Sequence, residues 1–286
     1  MHLISIDWDF FTLNRELESD VWDDDNRRSM PGALLYDWQM SENRAPEFES
    51  ALWEIRAANL IRFGCEPKHA TRPMVDVETF ITEISTRFFP GVAWSADSHS
   101  WAGPIARQLA EMGGGGLTVW NFDAHHDLGY GDNPVADPER IMCDDWALLG
   151  LQQGWIKNYN LVYPDFRGRS EWEGVKRPHL TGFRKARRIK VMTWTEFLDK
   201  VGYDEIYADV FMCRSSSWTP PWWDGEFQKL RKEYEPRCIE CDNPDYKRHD
   251  SCTPREWDWQ HVEEHVRRIE DAEKLAREFT QLQKAG

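Results

Sequence analysis

The sequence predicts an α/β fold, a three-layer α/β/α arrangement around a mainly parallel sheet, followed by a helical C-terminal tail. Three observations carry this. Short β-rich apolar runs alternate with segments of helical periodicity, the rhythm of β-α-β units whose strands run parallel. Several runs end in Asp, His or Ser, and open α/β sheets collect functional side chains at the carboxyl ends of their strands. The chain has 286 residues, 41% of them apolar, enough for one substantial core. We divide it into residues 1–236, the α/β domain, and 237–286, a Cys/His-containing segment with an amphipathic helix.

The first strand is His2-Leu3-Ile4-Ser5-Ile6-Asp7-Trp8. Asp7 and Asp9 put two carboxylates on one face at its carboxyl end, where they repel unless a cation, a proton or strong donors compensate. Residues 12–46, rich in Asp, Asn, Arg and Pro, read as a long loop of the kind that is often functional. Helices are expected over 46–63, with Phe48, Leu52, Ile55 and Ala58 on one face, and over 75–88, through Val77, Phe80, Ile81 and Ile84. Gly91-Val92-Ala93-Trp94 forms a short strand leading into Ser95-Ala96-Asp97-Ser98-His99-Ser100, and a helix follows over 103–112.

Glycines 113 to 116 mark a turn before the strand Leu117 to Phe122. Asp123, His125 and Asp127 come directly after it. Alternation along an extended segment sends i, i+2 and i+4 to the same side, so two carboxylates and an imidazole converge. Hard oxygen ligands with imidazole nitrogen suit Mn²⁺, Fe²⁺ or Zn²⁺. Residues 128–140 form a Gly/Pro/Asp loop suited to a lid or substrate wall. A helix starts near Cys143, with Asp144 or Asp145 as its cap. Strands over 160–163 and 188–192, a short helix over 195–200, a strand over 205–213 and a helix over 224–235 continue the alternation. Strand 205–213 ends in a polar loop from which Arg214 and Ser215 to Ser217 would contact substrate.

In the tail, Cys238, Cys241, His249 and Cys252 offer four ligands for a structural Zn²⁺, or are plain reduced thiols. The helix expected over 257–282 carries an apolar stripe of Val262, Val266, Ile269, Ala272, Leu275, Phe279 and Leu282, fitted to docking on the domain or to homo-oligomer formation.

Net charge is −15, which argues against electrostatic binding to nucleic acid or to an anionic membrane. No run reaches the length needed to span a bilayer, and Asp7 interrupts the N-terminus before a signal-peptide core develops. Six cysteines in such a chain do not read as a disulfide framework, so a cytoplasmic location is expected. Several of the 16 tryptophans adjoin Asp or Pro, as in Asp7-Trp8-Asp9 and Pro221-Trp222-Trp223-Asp224, suggesting aromatic walls beside polar sites; for most, core packing is the default.

Three of these segments resemble motifs of one family. Asp123-Ala124-His125-His126-Asp127 is similar to the D-A-H-x-D signature of arginases, agmatinases and related ureohydrolases. Ser95-Ala96-Asp97-Ser98-His99-Ser100 resembles their G-G-D-H-S motif with one residue inserted, and Ser5-Ile6-Asp7-Trp8-Asp9 resembles their S-x-D-x-D motif. The resemblance implies an arginase-like fold and a binuclear manganese centre, with Zn²⁺ or Fe²⁺ as alternatives. Asp7 and Asp123 would bridge the two ions, His99 and Asp127 would complete one, and His125 and Asp9 the other.

In ureohydrolases the S-x-D-x-D strand follows the other two motifs. Here it precedes them, which requires a circular permutation or a rearranged sheet if the N-terminal match is real. No counterpart of the arginase proton-shuttle histidine or of a guanidinium-binding glutamate is found. The implied activity is hydrolysis of a linear non-peptide C–N bond, guanidino or amide, in a small-molecule substrate by a metal-bridging hydroxide. Asp127 would accept a proton, with His126 and Asp145 as further catalytic candidates. The alternatives are a single-metal N-acyl amine deacetylase, as in the histone-deacetylase branch of the same fold, and a non-catalytic metal-binding protein.

Overall fold

A computed structural model describes residues 1–12, 46–62, 64–130, 134, 136, 137, 139, 141–169, 172, 173, 177–203, 206–216, 218–234, 238–240 and 254–285. The strands are β1 (His2–Asp7), β2 (Phe88–Ala96), β3 (Leu117–Phe122), β4 (Ile156–Tyr163), β5 (Ile189–Thr193), β6 (Ile206–Cys213) and β7 (Cys238–Glu240). They form one sheet in the order β5-β4-β3-β1-β6-β2-β7, with every neighbouring pair parallel. The helices are α1 (Asp9–Thr12), α2 (Pro46–Arg62), α3 (Pro67–Ala70), α4 (Val77–Arg87), α5 (Ala102–Gly113), α6 (Trp146–Gln153), α7 (Thr181–Lys185), α8 (Trp194–Lys200), α9 (Asp224–Tyr234) and α10 (Trp259–Ala285).

Period-two alternation builds the two interfaces of the three-layer fold. On one face Leu3, Leu117, Val119, Tyr159 and Leu161 pack against Ile105, Ala106 and Leu109 of α5 and Leu148 and Leu149 of α6. On the other, Ile4, Ile6, Phe122, Val162 and Val210 meet Phe80 and Ile84 of α4, Phe197 of α8 and Phe227 and Leu230 of α9. Phe80 stands edge-on to Phe122 at 5.2 Å and stacks on Trp194 at 5.2 Å, so most aromatics on this side fill the core.

The expected elements are recovered with shifted limits. The short strand at 91–94 is nine residues long, because the helix before it stops at Arg87 and the chain extends at once from Phe88. The strand expected at 160–163 begins at Ile156. β7 was not anticipated; its Cys238 pairs with Ala93, so a strand reaches the sheet from beyond residue 236. In α2 the buried residues are Leu52, Trp53, Arg56, Ala57, Ala58 and Leu60, while Ile55 faces outward at 36% exposure. The buried stripe is therefore rotated from the expected one, to meet α10 and the Trp222 and Trp257 rings. In α10 Val262 is buried and Leu275 is 65% exposed, so the part of the stripe up to Leu275 is covered at its start, while Phe279 and Leu282 lie outside the residues whose side chains are described. No described helix is long and apolar enough to cross a membrane.

The order of strands locates a crevice. From β1 the chain passes to β2 on one side, and from β3 it passes to β4 on the other. The adjacent pair β1 and β3 is therefore a topological switch point, where the loops diverge and leave a cleft beyond the strands' carboxyl ends.

Candidate metal centre

The pairing of β1 with β3 sets Ser5 opposite Asn121 and Ile6 opposite Phe122. Continuing that register brings Asp7 level with Asp123 at the mouth of the crevice. On the far side of β1, Asp7 pairs with Cys213 of β6, and Cys213 in turn with Ala96 of β2. The segments after β1, β2, β3 and β6 thus leave the sheet at one level, and the three motifs meet there although they are up to 120 residues apart in sequence.

Six side chains converge. The Nδ1 atom of His99 lies 3.1 Å from Asp7 Oδ2, 3.2 Å from Asp123 Oδ2 and 3.1 Å from Asp127 Oδ2. His125 Nδ1 lies 2.7 Å from Asp9 Oδ2 and 3.7 Å from Asp123 Oδ1. Two triads result, Asp7-His99-Asp123 and Asp9-Asp123-His125, each with ligand atoms within 4.8 Å of one another. Asp123 belongs to both. The five residues other than His125 are at most 3% exposed, whereas the His125 side chain is 28% exposed and lies beside Trp218, ring centres 5.8 Å apart. The cluster opens to solvent on the His125 side.

A surrounding set of donors holds these side chains. Ser5 Oγ sits 2.7 Å from His99 Nε2, leaving Nδ1 turned to the carboxylates, and the ring lies between Phe211 and Trp146. Asn121 Nδ2 reaches Asp123 Oδ2 at 3.0 Å, Asp127 Oδ2 at 3.4 Å and the Tyr159 hydroxyl at 2.9 Å. Asp7 accepts from the Ser215 hydroxyl at 2.6 Å and from the Asp9 backbone N–H at 3.1 Å. Asp9 accepts the Ala124 N–H at 3.1 Å, and Asp123 that of His125 at 2.7 Å. Such outer partners orient ligands and fix imidazole tautomers.

Four carboxylates gathered out of water disturb one another. Burial, then the charges of Asp9 and Asp123, push Asp7 up to about 6. Burial, then Asp127 and Asp9, hold Asp123 well above the usual carboxylate range. Asp9 goes the other way: against its burial, the charge and hydrogen bond of His125 and the Ala124 N–H keep it low. His99 would be depressed by burial, but the Asp127 charge and its contacts with Asp123, Asp127 and Asp7 raise it well above its ordinary value. The group has more negative charge than its imidazoles neutralise, which is what a divalent cation corrects. Oxygen and imidazole donors in overlapping triads fit one or two such ions.

The local route to this geometry differs from the alternation argument. β3 stops at Phe122, and Asp123 to Asp127 follow a bend rather than a strand. Asp127 has a left-handed φ of 51°, which turns its carboxylate back over the crevice. Asp9, likewise, opens α1 rather than extending β1. Neither Asp144 nor Asp145 caps α6 with its side chain. The Asp127 carbonyl takes that place, accepting from the Ala147 N–H at 3.2 Å and the Leu148 N–H at 3.3 Å, while Trp146 Nε1 donates to Asp127 Oδ2 at 2.7 Å. The start of α6 grips Asp127 by backbone and side chain together.

The remaining candidates lie elsewhere. His126 is fully buried, accepts the Leu128 N–H at Nδ1, stacks on Tyr130 and has Nε2 3.3 Å from Arg177 Nε. Asp145 accepts the Met142 N–H, and burial lifts it to about 6. Arg214 does not line an open wall: it is 4% exposed and bonded to Asp97 at 2.5 Å and Asp224 at 3.0 Å. Cys238 begins β7, while Cys241, His249, Cys252, Ser217 and most of the 12–46 loop lie outside the described residues. Ser5, Asn121, Trp146 and Tyr159 are not singled out as site residues by the sequence, and Ser215, expected as a substrate contact, donates to Asp7. Ser5 and Asn121 had a signal, since each stands two residues before a candidate ligand on the same strand face; Trp146 had none.

Comparison with protein-family models, with curated proteins and with solved structures returns no match to this chain.

Proposed function

We propose that this chain is a metal-dependent hydrolase of a linear non-peptide C–N bond, guanidino or amide, related to the ureohydrolases through a rearranged order of strands. The observation that supports this reading is the overlap of two triads on Asp123, with Asp127 beside His99. Asp7, His99, Asp123 and Asp127 would hold one ion and Asp9, Asp123 and His125 the second, with Mn²⁺ expected from the motif resemblance. Ions bound there would acidify a water and polarise the planar carbon of a substrate. The chain's own residues contribute position and proton traffic. Asp127, held by Trp146 and near Asn121, is placed to receive a proton at the carboxylate edge not used by the indole. His125 and Trp218 form the exposed rim, so a small substrate would enter over them. His126 and Asp145 are committed to the Arg177 wall and to the start of α6, and we assign them no proton transfer.

The test is metal content and turnover on one preparation. Wild-type protein dialysed against Mn²⁺ should retain two ions per chain, Asp123→Ala none, and His125→Ala one. Release of urea, ammonia or a carboxylate is then followed over a panel of guanidino and N-acyl amine compounds. Retention of metal by Asp123→Ala would refute the centre. A second reading, a metal-binding protein without turnover, is favoured by the near-complete burial of five ligands; two bound ions with no product from any compound would establish it.

A further inference from the structure

The C-terminal segment reaches the metal centre through one arginine. Arg255 lies just before α10, with its side chain one-tenth exposed. Its Nε and backbone N–H donate to Asp224 Oδ2 at 2.9 and 2.8 Å, and Nη2 donates to Asp224 Oδ1 at 2.6 Å. The rest of the guanidinium is spent on the loop after β6: Nη1 donates to the Ser216 carbonyl at 2.7 Å and Nη2 to that of Thr219 at 2.9 Å. That loop is the one whose Ser215 hydroxyl holds Asp7.

The loop needs holding. Ser215 has a left-handed φ of 48°, a conformation that is unfavourable for a non-glycine residue. The Trp218 and Thr219 N–H groups fold back onto its carbonyl at 2.8 and 3.0 Å, and Trp53 Nε1 shares the Ser216 carbonyl with Arg255 at 2.9 Å. Asp224 then continues the chain of contacts to Arg214, and Arg214 to Asp97, two residues before His99. Both the loop carrying Ser215 and the segment carrying His99 are tied to one buried ion network.

We infer that Arg255 is a positioning residue of the metal centre: by clamping the 214–219 loop it holds Ser215 on Asp7, so that the C-terminal segment governs how tightly the Asp7 position retains its ion. The inference rests on the metal reading above for its consequence, but the clamp itself does not.

The experiment uses the full chain with Arg255→Ala, Arg255→Lys and a control, Val262→Ala, which loosens the docking of α10 on Ala57 and Ala58 without touching the loop. Arg255→Ala leaves Asp224 paired with Arg214, so no buried carboxylate is stranded. Two quantities are read: Mn²⁺ affinity by titration, and amide hydrogen exchange of Trp218 and Thr219 in chelator. Loss of an outer-shell partner typically weakens metal binding ten- to hundredfold. Arg255→Ala should show a loss in that range together with faster exchange at both amides. Arg255→Lys should fall between, since an ammonium cannot span Asp224 and two carbonyls, and Val262→Ala should match wild type in both readouts.

Unchanged Mn²⁺ affinity in Arg255→Ala, or an equal loss in Val262→Ala, overturns the inference. A wild-type chain that takes up no divalent ion refutes the metal reading instead, and the clamp is then decided by the exchange of Trp218 and Thr219: unchanged rates in Arg255→Ala overturn it, faster rates uphold it.

Discussion

Replacing Asp7 by Asn should make the metal-free protein more stable while abolishing its stabilisation by metal. Asp7 is buried beside Asp9 and Asp123, which together carry its carboxyl from the ordinary 3.8 to about 6. At pH 7 that rise corresponds to about 3 kcal/mol of unfavourable ionisation in the native state. Asparagine removes the charge at nearly constant volume. Its carbonyl can still accept the Asp9 N–H, and its amide can donate to Ser215 Oγ, so a net gain of about 1–3 kcal/mol is expected after imperfect hydrogen bonding is allowed for. The sign fixes the pH dependence. A folded pKa raised above the unfolded one gives stability that is full below about pH 4 and lost as the pH rises through 6. In chelator, wild-type stability should therefore decline over this window, and Asp7→Asn should decline less. Saturating Mn²⁺ should add about 2.7 kcal/mol to wild type at a hundred times its Kd, and much less to the variant. The assay is urea unfolding with and without chelator between pH 4 and 7. An Asp7→Asn protein that is less stable than wild type in chelator at pH 7, or that gains as much from Mn²⁺, would refute the reasoning.

Three further outcomes are expected. Trp146→Phe deletes the indole donor to Asp127 and opens a small void, and should cost about 2–4 kcal/mol in urea unfolding, from a hydrogen bond to a buried carboxylate plus the cavity; a loss under 1 kcal/mol would show that the indole does not hold Asp127. Ser5→Ala should weaken Mn²⁺ binding about tenfold or more and cost about 1–3 kcal/mol in unfolding, since it deletes the buried hydroxyl that faces His99 Nε2. Glu196 is held at about 2 by the Thr193 N–H, then Arg169 and Lys200, in a capping box. A lowered folded pKa gives stability present above about pH 4.5 and lost as the pH falls through 2, so Glu196→Gln should cost about 1 kcal/mol at neutral pH, discounted because the side chain is 31% exposed, and nothing near pH 2.

Much of the fold was legible because parallel strands buried on both faces read as apolar runs with polar ends. Leu3 against Ile4, and Val119 against Phe122, already announce two interfaces by parity. Asp7, Asp9, His99, Asp123, His125 and Asp127 were legible as a candidate site because carboxylates and imidazoles cluster at the carboxyl ends of strands, where open α/β sheets place functional groups. The path by which they meet was not. Alternation places Asp127 on an extended segment, yet its position depends on a left-handed φ and on the N–H groups at the start of α6, nineteen and more residues downstream. Asp145 stands at the cap position that local spacing indicates, but its side chain makes no cap hydrogen bond, and the distant Asp127 carbonyl accepts the Ala147 and Leu148 N–H groups. Arg214 looked like a substrate contact, and Asp97 and Asp224 consume it in the interior.

The sequence by itself determined the alternating α/β plan, the parity that sets Ser5, Asp7, Asn121 and Asp123 on one side, and the chemistry of the candidate ligands, because these follow from periods of two residues and from side-chain type. Only the tertiary structure decided that β1, first in the chain, lies between β3 and β6. That placement makes a switch-point crevice of an N-terminal strand and completes the centre with Asp7 and Asp9. Strand order is set by which apolar faces and loop lengths close together over the whole chain, a non-local balance that no local period records.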